Sequence, residues 1–409
     1  MVNLLKTALA IARMKLDSRR DDLDSWQQER LRELVAYAAK RVPYYRKISL
    51  RGNDDLASIP LTTKDALREG PDSFLAEGFS KDSLGKITTS GSSGMPVTIY
   101  YNEYEANHRL ALEYYQLTEC GVGPFDRQAH LTYYTLPRKT LQRLGVFRRE
   151  YLSFYDDERE NILRLKGIRP DVLHCYPSFL VPLAEANKEH GMGFSVKKIF
   201  SSAELLSEAS RSIIEKSFQC DLRDFYGSTE TSWVAWQCEK GSMHLHDSII
   251  AEVVDDAGMP LGKGKTGNLV LTPLWKRVMP FIRYYIGDRT ALADKCRCGR
   301  TGGILMPIEG RNDDFIVLPS GRIRSARFVD LSIRSIPGIL LYQAVQEKQG
   351  ELTLMIVPAG KLSKSSENLL VKNLKSSFPE PMEISVEIVD SIQRGKSGKI
   401  RSVISKVKP

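Results

Sequence analysis

The sequence holds no run of eighteen apolar residues, so no membrane-spanning helix is expected. No small-residue cleavage site follows the N-terminal stretch MVNLLKTALAIARMKL, and Lys6, Arg13 and Lys15 interrupt its apolar residues. A secretory signal is therefore not expected, and a cytoplasmic location is. Cysteine is scarce, with six in 409 residues: Cys120, Cys175, Cys220, Cys238, Cys296 and Cys298. Without a leader, a disulfide framework is a weaker reading than metal ligation or buried thiols. No Lys/Arg block, zinc-finger spacing or aromatic RNA-binding signature accompanies the net charge of +9. Nucleic acid is thus not an expected partner, and small anionic substrates such as ATP are.

What is present suits a globular chain of two domains, one large and one small, because 409 residues exceed one ordinary core. Leu5, Leu9 and Ala12 share one helical face, predicting an N-terminal helix packed on the protein's own core; peripheral contact with a membrane surface is the alternative. DSWQQERLRELVAYAAKRVPYY reads as a helix stopped at Pro43, and LTTKDALREG as a short helix capped by Thr62 or Thr63. Between residues 170 and 230 strand and helix alternate: DVLHCY, PSFLVPLAEANKEHG, KKIFSS, SEASRSIIEKSF, LRDFYG. Such alternation predicts an α/β fold with a parallel sheet flanked by helices. IIAEVVDD and TGNLVLTPL predict an antiparallel subdomain. From residue 315 a hairpin, a helix and a strand predict a small α+β C-terminal domain. The expected division is 1–310, a hinge at 311–314, and 315–409.

Five strings carry chemistry. Thr88-Thr89-Ser90-Gly91-Ser92-Ser93-Gly94-Met95-Pro96 combines hydroxyls with glycines that let backbone N–H groups wrap a polyphosphate. It is not the Walker pattern, which needs Gly-Lys-Ser/Thr. Asp224-Phe225-Tyr226-Gly227-Ser228-Thr229-Glu230 ends a predicted parallel strand, where ligands of open α/β sheets bind. Tyr226 offers a face to a base, Thr229 a donor to phosphate, and Glu230 an oxygen ligand for Mg²⁺; the plain alternative is a strand-turn-helix with Glu230 in the first helical turn. Arg283-Tyr284-Tyr285-Ile286-Gly287-Asp288 ends in a carboxylate suited to two ribose hydroxyls, and Glu309-Gly310-Arg311-Asn312-Asp313-Asp314 is a polar junction of the kind that absorbs backbone rotation. Arg394-Gly395-Lys396-Ser397-Gly398-Lys399 presents a Gly-flanked lysine to developing negative charge.

In this order and spacing the strings resemble the adenylate-forming superfamily, more closely its phenylacetate–CoA ligase branch and, within that, the CapK-like group connected with capsule polysaccharide. RLRELVAYAAKRVPYYRK, IPLTTKDALRE, IRPDVLHCYPSFL and SSAELLS also resemble that branch. The resemblance implies that Thr89, Ser90, Gly91, Ser92, Ser93 and Gly94 hold the β- and γ-phosphates of ATP. It implies that Ala203, Glu204 and Tyr226, with Gly227 and Ser228 beside them, form the nucleotide pocket. It further implies Thr229 on the α-phosphate, Glu230 on Mg²⁺, Asp288 and Arg311 on the ribose, Asp313 as hinge, and Lys399 as the lysine bridging carboxylate and α-phosphate. The expected activity is ATP-dependent conversion of a carboxylic acid to acyl-AMP, then transfer to CoA. An amine or sugar acceptor is the alternative. One departure stands out: many members carry a lysine beside the loop proline, and here Met95 and Val97 flank Pro96.

Cys296-Arg297-Cys298 is a tight thiol pair, and Cys238 with His244 supplies two further ligands of zinc type; His246 is the alternative histidine. The CapK-like group shows the same Cys…His…Cys-x-Cys pattern. Tyr133, Tyr134 and Trp233 flank the expected acid pocket, although aromatic core packing is the stronger reading of them, and no aromatic acid is expected from them.

Overall fold

The computed structural model describes residues 4–17, 20, 22–88, 97–132, 142, 145–153, 156, 158–293, 295–311, 315–325, 327–333, 336, 338–395 and 399–407. The expected mixed α/β class is what it shows. The chain forms two compact units: 1–122 with 225–308, and 123–224 with 309–409. The C-terminal segment therefore groups with the central strand–helix region, where sequence reading separates it from everything before residue 311.

In the first unit, the helix Leu23–Arg41 ends two residues before Pro43, which opens the next helix, Pro43–Lys47. Leu31, Leu34, Val35 and Ala38 form its buried face. They pack with Tyr45, Ile59, Leu274 and Ile282. Strands Ile249–Val254, Gly267–Pro273 and Tyr284–Thr290 pair antiparallel, as the Gly-rich turns predict. A second antiparallel set joins the end of Asp221–Ser228 to Ser232–Gln237, then Met243–Leu245 and Ile304–Leu305.

The N-terminal helix, Leu4–Asp17, packs on the protein's own fold as expected, but through a different face. It lies against the helix Glu103–Glu119, with Thr7 Oγ1 donating to Asn107 Oδ1 at 3.2 Å. Its inward face runs through Thr7, Ala10, Met14 and Asp17, while Ala12 is exposed and Leu9 and Leu16 are 63% and 70% exposed. A buried hydroxyl with a partner on the neighbouring helix lies on the inward face, where Leu9 and Ala12 do not. No described helix is long and apolar enough to cross a membrane.

In the second unit, strands Arg149–Ser153, Gln128–Thr132, Val172–Cys175 and Lys198–Ser202 pair in that order, all parallel. Their helices bury Ile162, Leu165, Leu180, Leu183 and Ile214 against the sheet. Gly191 closes the helix Pro177–His190 at φ +55, a left-handed angle costly for any residue with a Cβ. The C-terminal segment carries its own core, from Ile316 to Val403. Its hairpin, Ile339–Gln346 and Glu351–Pro358, is flanked by Val403–Ser405 and Glu383–Ile388, both parallel to their neighbours, with the helix Lys364–Ser377 among the core contributors.

Candidate functional site

The first unit builds a carboxylate site from three stretches far apart in sequence. Ser228 starts the turn after its strand by accepting the Thr231 N–H at 3.1 Å, which places Thr229 and Glu230 at the tip. The chain then returns as a strand, not a helix, so the helical alternative for Glu230 does not hold. Gly227 is obligatory at the register shift: a Cβ there would meet Ser232 O at 2.5 Å. Glu230 is only 6% exposed. Tyr284 Oη donates to its Oε1 at 3.1 Å, and Lys64 Nζ lies 3.4 Å from the same oxygen. A buried carboxylate, held by a phenol and an ammonium, fits Mg²⁺, a hard cation that takes oxygen ligands.

Lys64 reaches this place through its two predecessors. Thr62 is fully buried and exchanges backbone bonds with Arg283 and Tyr285 at 2.9 Å each, while its hydroxyl donates to Ile282 O at 2.7 Å. Thr63 caps the helix Lys64–Glu69, accepting the Ala66 N–H at 3.2 Å. Lysine in the first helical position opposes the helix dipole, and the ion pair with Glu230 offsets that cost. The sequence shows Lys64 only as part of a capped helix; its opposition to the dipole is the signal that could have singled it out. Lys276 is a second cation that sequence reading misses. It is 1% exposed, its ammonium stacked 5.1 Å from the Phe281 ring centroid. Burial pulls it down to about 8, with Glu105 and Glu230 drawing it back and Arg109 adding to the fall.

Asp288 is buried and accepts a short hydrogen bond from Tyr226 Oη. Gly287 before it has φ +86, which turns the strand so that the carboxylate and the phenol meet. Arg283, which opens the same motif, is structural. Its guanidinium is buried, pairs with Glu252 at 3.2 Å, and donates to the carbonyls of Ala57, Ile59 and Gly258.

In the second unit, Ala203 takes a left-handed φ of 70 and Glu204 follows it. Glu204 accepts from Ser178 N–H and Ser178 Oγ–H, each at 3.0 Å, and from Ile400 N–H at 2.8 Å. Burial pushes its carboxyl up, opposed by those donors and by Arg394. Lys399 is half-buried, its Nζ 5.7 Å from the centroid of the Tyr176 ring. Arg311 lies in the two-residue strand Gly310–Arg311. Thr89, Ser90, Gly91, Ser92, Ser93, Gly94, Asp313, Tyr133 and Tyr134 lie outside the described residues. Trp233 is half-buried and packs edge-on against Phe225, 5.9 Å between centroids.

The four predicted metal ligands meet. One ligand atom from each of Cys238, His244, Cys296 and Cys298 lies within 4.8 Å of the others. Cys238 Sγ is 3.6 Å from Cys296 Sγ, and Cys298 Sγ is 3.2 Å from His244 Nε2. Three sulfurs and one imidazole nitrogen at that spacing fit a closed tetrahedral zinc site. His246 is elsewhere: its Nε2 faces Gln116 Oε1 at 3.2 Å, so His244 is the histidine of the cluster. Around it Trp236 stacks on His244, and Arg300 lies over Trp236 while pairing with Glu239 at 2.8 Å.

Comparison with known proteins places this geometry. Residues 317–406 match the CapK C-terminal domain. The chain is 30% identical over 361 residues to phenylacetate–coenzyme A ligase of Thermus thermophilus, covering 81% of this chain and 80% of that one. It is 24% identical to protein CapK of Staphylococcus aureus, covering 95% and 90%. 2-Hydroxyisobutyryl-CoA ligase, solved in a postadenylation state with R3-HIB-AMP, shares the fold at a TM-score of 0.77 and 20% identity, over 94% of this chain and 89% of that one. Identity of that level, sustained along four-fifths of two chains, establishes membership: the chain belongs to the phenylacetate–CoA ligase family, AMP-forming ligases that activate a carboxylic acid as its acyl-adenylate and pass it to CoA.

Proposed function

We propose that this enzyme joins a small carboxylic acid to ATP through in-line attack of the carboxylate on the α-phosphorus, expelling pyrophosphate, and then transfers the acyl group to CoA. The observation that carries the site assignment is the buried Glu230, bonded by Tyr284 and paired with Lys64 on a single oxygen. Mg²⁺ would be held by Glu230 and would supply charge neutralisation at the phosphates. Lys64 then stands as the phosphate-side cation that Met95 and Val97 cannot provide. Asp288, oriented by Tyr226, takes the ribose hydroxyls, with Arg311 beside the same sugar. Tyr226 and the Ala203–Glu204 turn contribute to the base pocket, and Thr229 meets the α-phosphate. Thr89 through Gly94 wrap the leaving phosphates. Lys399 neutralises charge developing between carboxylate and α-phosphate, where such interactions act most strongly on rate.

The mobile element of this reading is residues 315–409, turning about Asp313 so that Lys399 withdraws after adenylation. Zinc held by Cys238, His244, Cys296 and Cys298 would be structural. An amine or sugar acceptor, in surface-polysaccharide work, is the second reading; it rests on the resemblance to the CapK-like group, whose C-terminal domain residues 317–406 match. Exposed Leu9 and Leu16, with Lys6, Arg13 and Lys15 on the same helix, suit peripheral contact with an anionic membrane. The test is ATP–pyrophosphate exchange over a panel beginning with phenylacetate and 2-hydroxyisobutyrate. The adenylate of the best acid is then offered CoA, amino sugars and amino acids in turn.

A further inference from the structure

The Ala203–Glu204 turn does more in this structure than border a nucleotide. Ser178 is the second residue of the helix Pro177–His190, and its N–H, a free donor at the helix start, points at Glu204 Oε2. Its hydroxyl donates its one proton to Glu204 Oε1 and, through a lone pair, accepts from Arg394 Nη1 at 2.7 Å. Arg394 Nη2 donates to Ser178 O at 3.0 Å, and the guanidinium lies 3.4 Å from the centroid of the Phe179 ring. On the far side of the lysine, Ile400 N–H donates to Glu204 Oε1 at 2.8 Å. The segment bearing Lys399 is thus tied at both ends, through Arg394 and Ile400, to residues 178 and 204.

We propose that Glu204, Ser178 and Arg394 form a latch that holds the Lys399 segment in its adenylation pose, making Ser178 and Arg394 positioning residues for the first half-reaction. The inference rests on the reading of Lys399 as the adenylation lysine. The physical need is clear. The segment contains Gly395 and Gly398, whose backbones are permissive, and a lysine misplaced by an ångström forfeits on the order of 100-fold in rate. A charge-assisted bond from Arg394 and one from Ile400 to the same buried cluster remove that freedom. Being hydrogen bonds and not packed apolar surface, they also release without exposing a core.

The latch is tested with Arg394→Gln and Ser178→Ala in the full-length enzyme, each checked for unchanged thermal unfolding. Single-turnover formation of acyl-adenylate, from the acid the wild type exchanges fastest, should fall about 10- to 100-fold. KM for ATP should stay within about threefold, as for a group that acts only on the chemical step. Consumption of the corresponding synthetic acyl-adenylate by CoA, which does not need Lys399, should be unchanged or faster. Amide exchange of the peptide containing Ile400 should accelerate. Adenylation at the wild-type rate in both variants would overturn the latch, as would equal losses in both half-reactions. If the wild type makes no adenylate from any acid, the functional reading fails instead, and Ile400 exchange alone then decides the latch: no change in either variant overturns it.

Discussion

Lys64 Nζ lies 3.4 Å from Glu230 Oε1, so the first residue of an early helix meets the tip of a β-turn assembled much later in the chain. The family's phosphate-loop lysine is absent here, and this pair supplies a cation at the carboxylate proposed for Mg²⁺. Lys64→Ala should lower kcat/KM for ATP by about 10- to 100-fold, with most of the loss in KM. Glu230→Gln should cost about 100- to 1000-fold and raise the Mg²⁺ needed for half-maximal rate. Pyrophosphate exchange with magnesium titration measures both. An unchanged ATP dependence in Lys64→Ala would remove Lys64 from the nucleotide site.

Tyr226 and Asp288 make a related claim about the sugar. Asp288→Ala should weaken ATP use by about 10-fold or more, the cost of losing charged hydrogen bonds to two hydroxyls. The same variant should lose most of the preference for ATP over 3′-deoxy-ATP. Comparing the two nucleotides in wild type and variant checks this; a preference that survives intact places the ribose elsewhere.

The thiol–imidazole cluster predicts about one zinc per chain by elemental analysis, lost in Cys296→Ser or Cys298→Ser. Closing such a site ties three strands' connections together, so a strong chelator should lower the melting temperature by several degrees. Because none of its residues belongs to the proposed nucleotide site, activity should fall only as the fold does.

Asp247 predicts a pH effect on stability. Burial, with Asp17 and Glu119 nearby, pushes its carboxyl up to about 7. The folded state therefore holds a proton that the unfolded chain has released above about 4. Stability from this residue is complete below that value and is lost as pH rises toward 7. Asp247→Asn should raise folding stability at pH 8 by on the order of 1 kcal/mol or more, read as a higher melting temperature, and should bring little change at pH 4. Equal shifts at both pH values would contradict the assignment.

The fold was legible wherever local pattern and tertiary role agree. The strand–helix alternation of 172–228 follows from apolar runs bounded by helix ends: in the structure Ser207 caps one helix and Gly191 ends another. The metal ligands were legible because a thiol pair two residues apart has few other uses, although choosing His244 over His246 required seeing Gln116 opposite the latter. Contacts made through space between unremarkable residues were not legible. Lys64 reads as a helix start until Thr62 is seen pinned to Arg283 and Tyr285. Arg394 reads as part of a basic tail until Ser178 and Phe179 are seen beneath it. The N-terminal helix was legible as a packed helix but not in its face: Thr7, bonded to Asn107, is buried where Leu9 and Ala12 are exposed.

The most direct measurement is ATP–pyrophosphate exchange by wild type and Lys399→Ala across a panel of carboxylic acids, with ATP binding followed in parallel by calorimetry. The account predicts acid-dependent exchange in the wild type, its loss by at least about 100-fold in the variant, and nucleotide affinity within a few-fold of wild type. Exchange that persists in Lys399→Ala would contradict it.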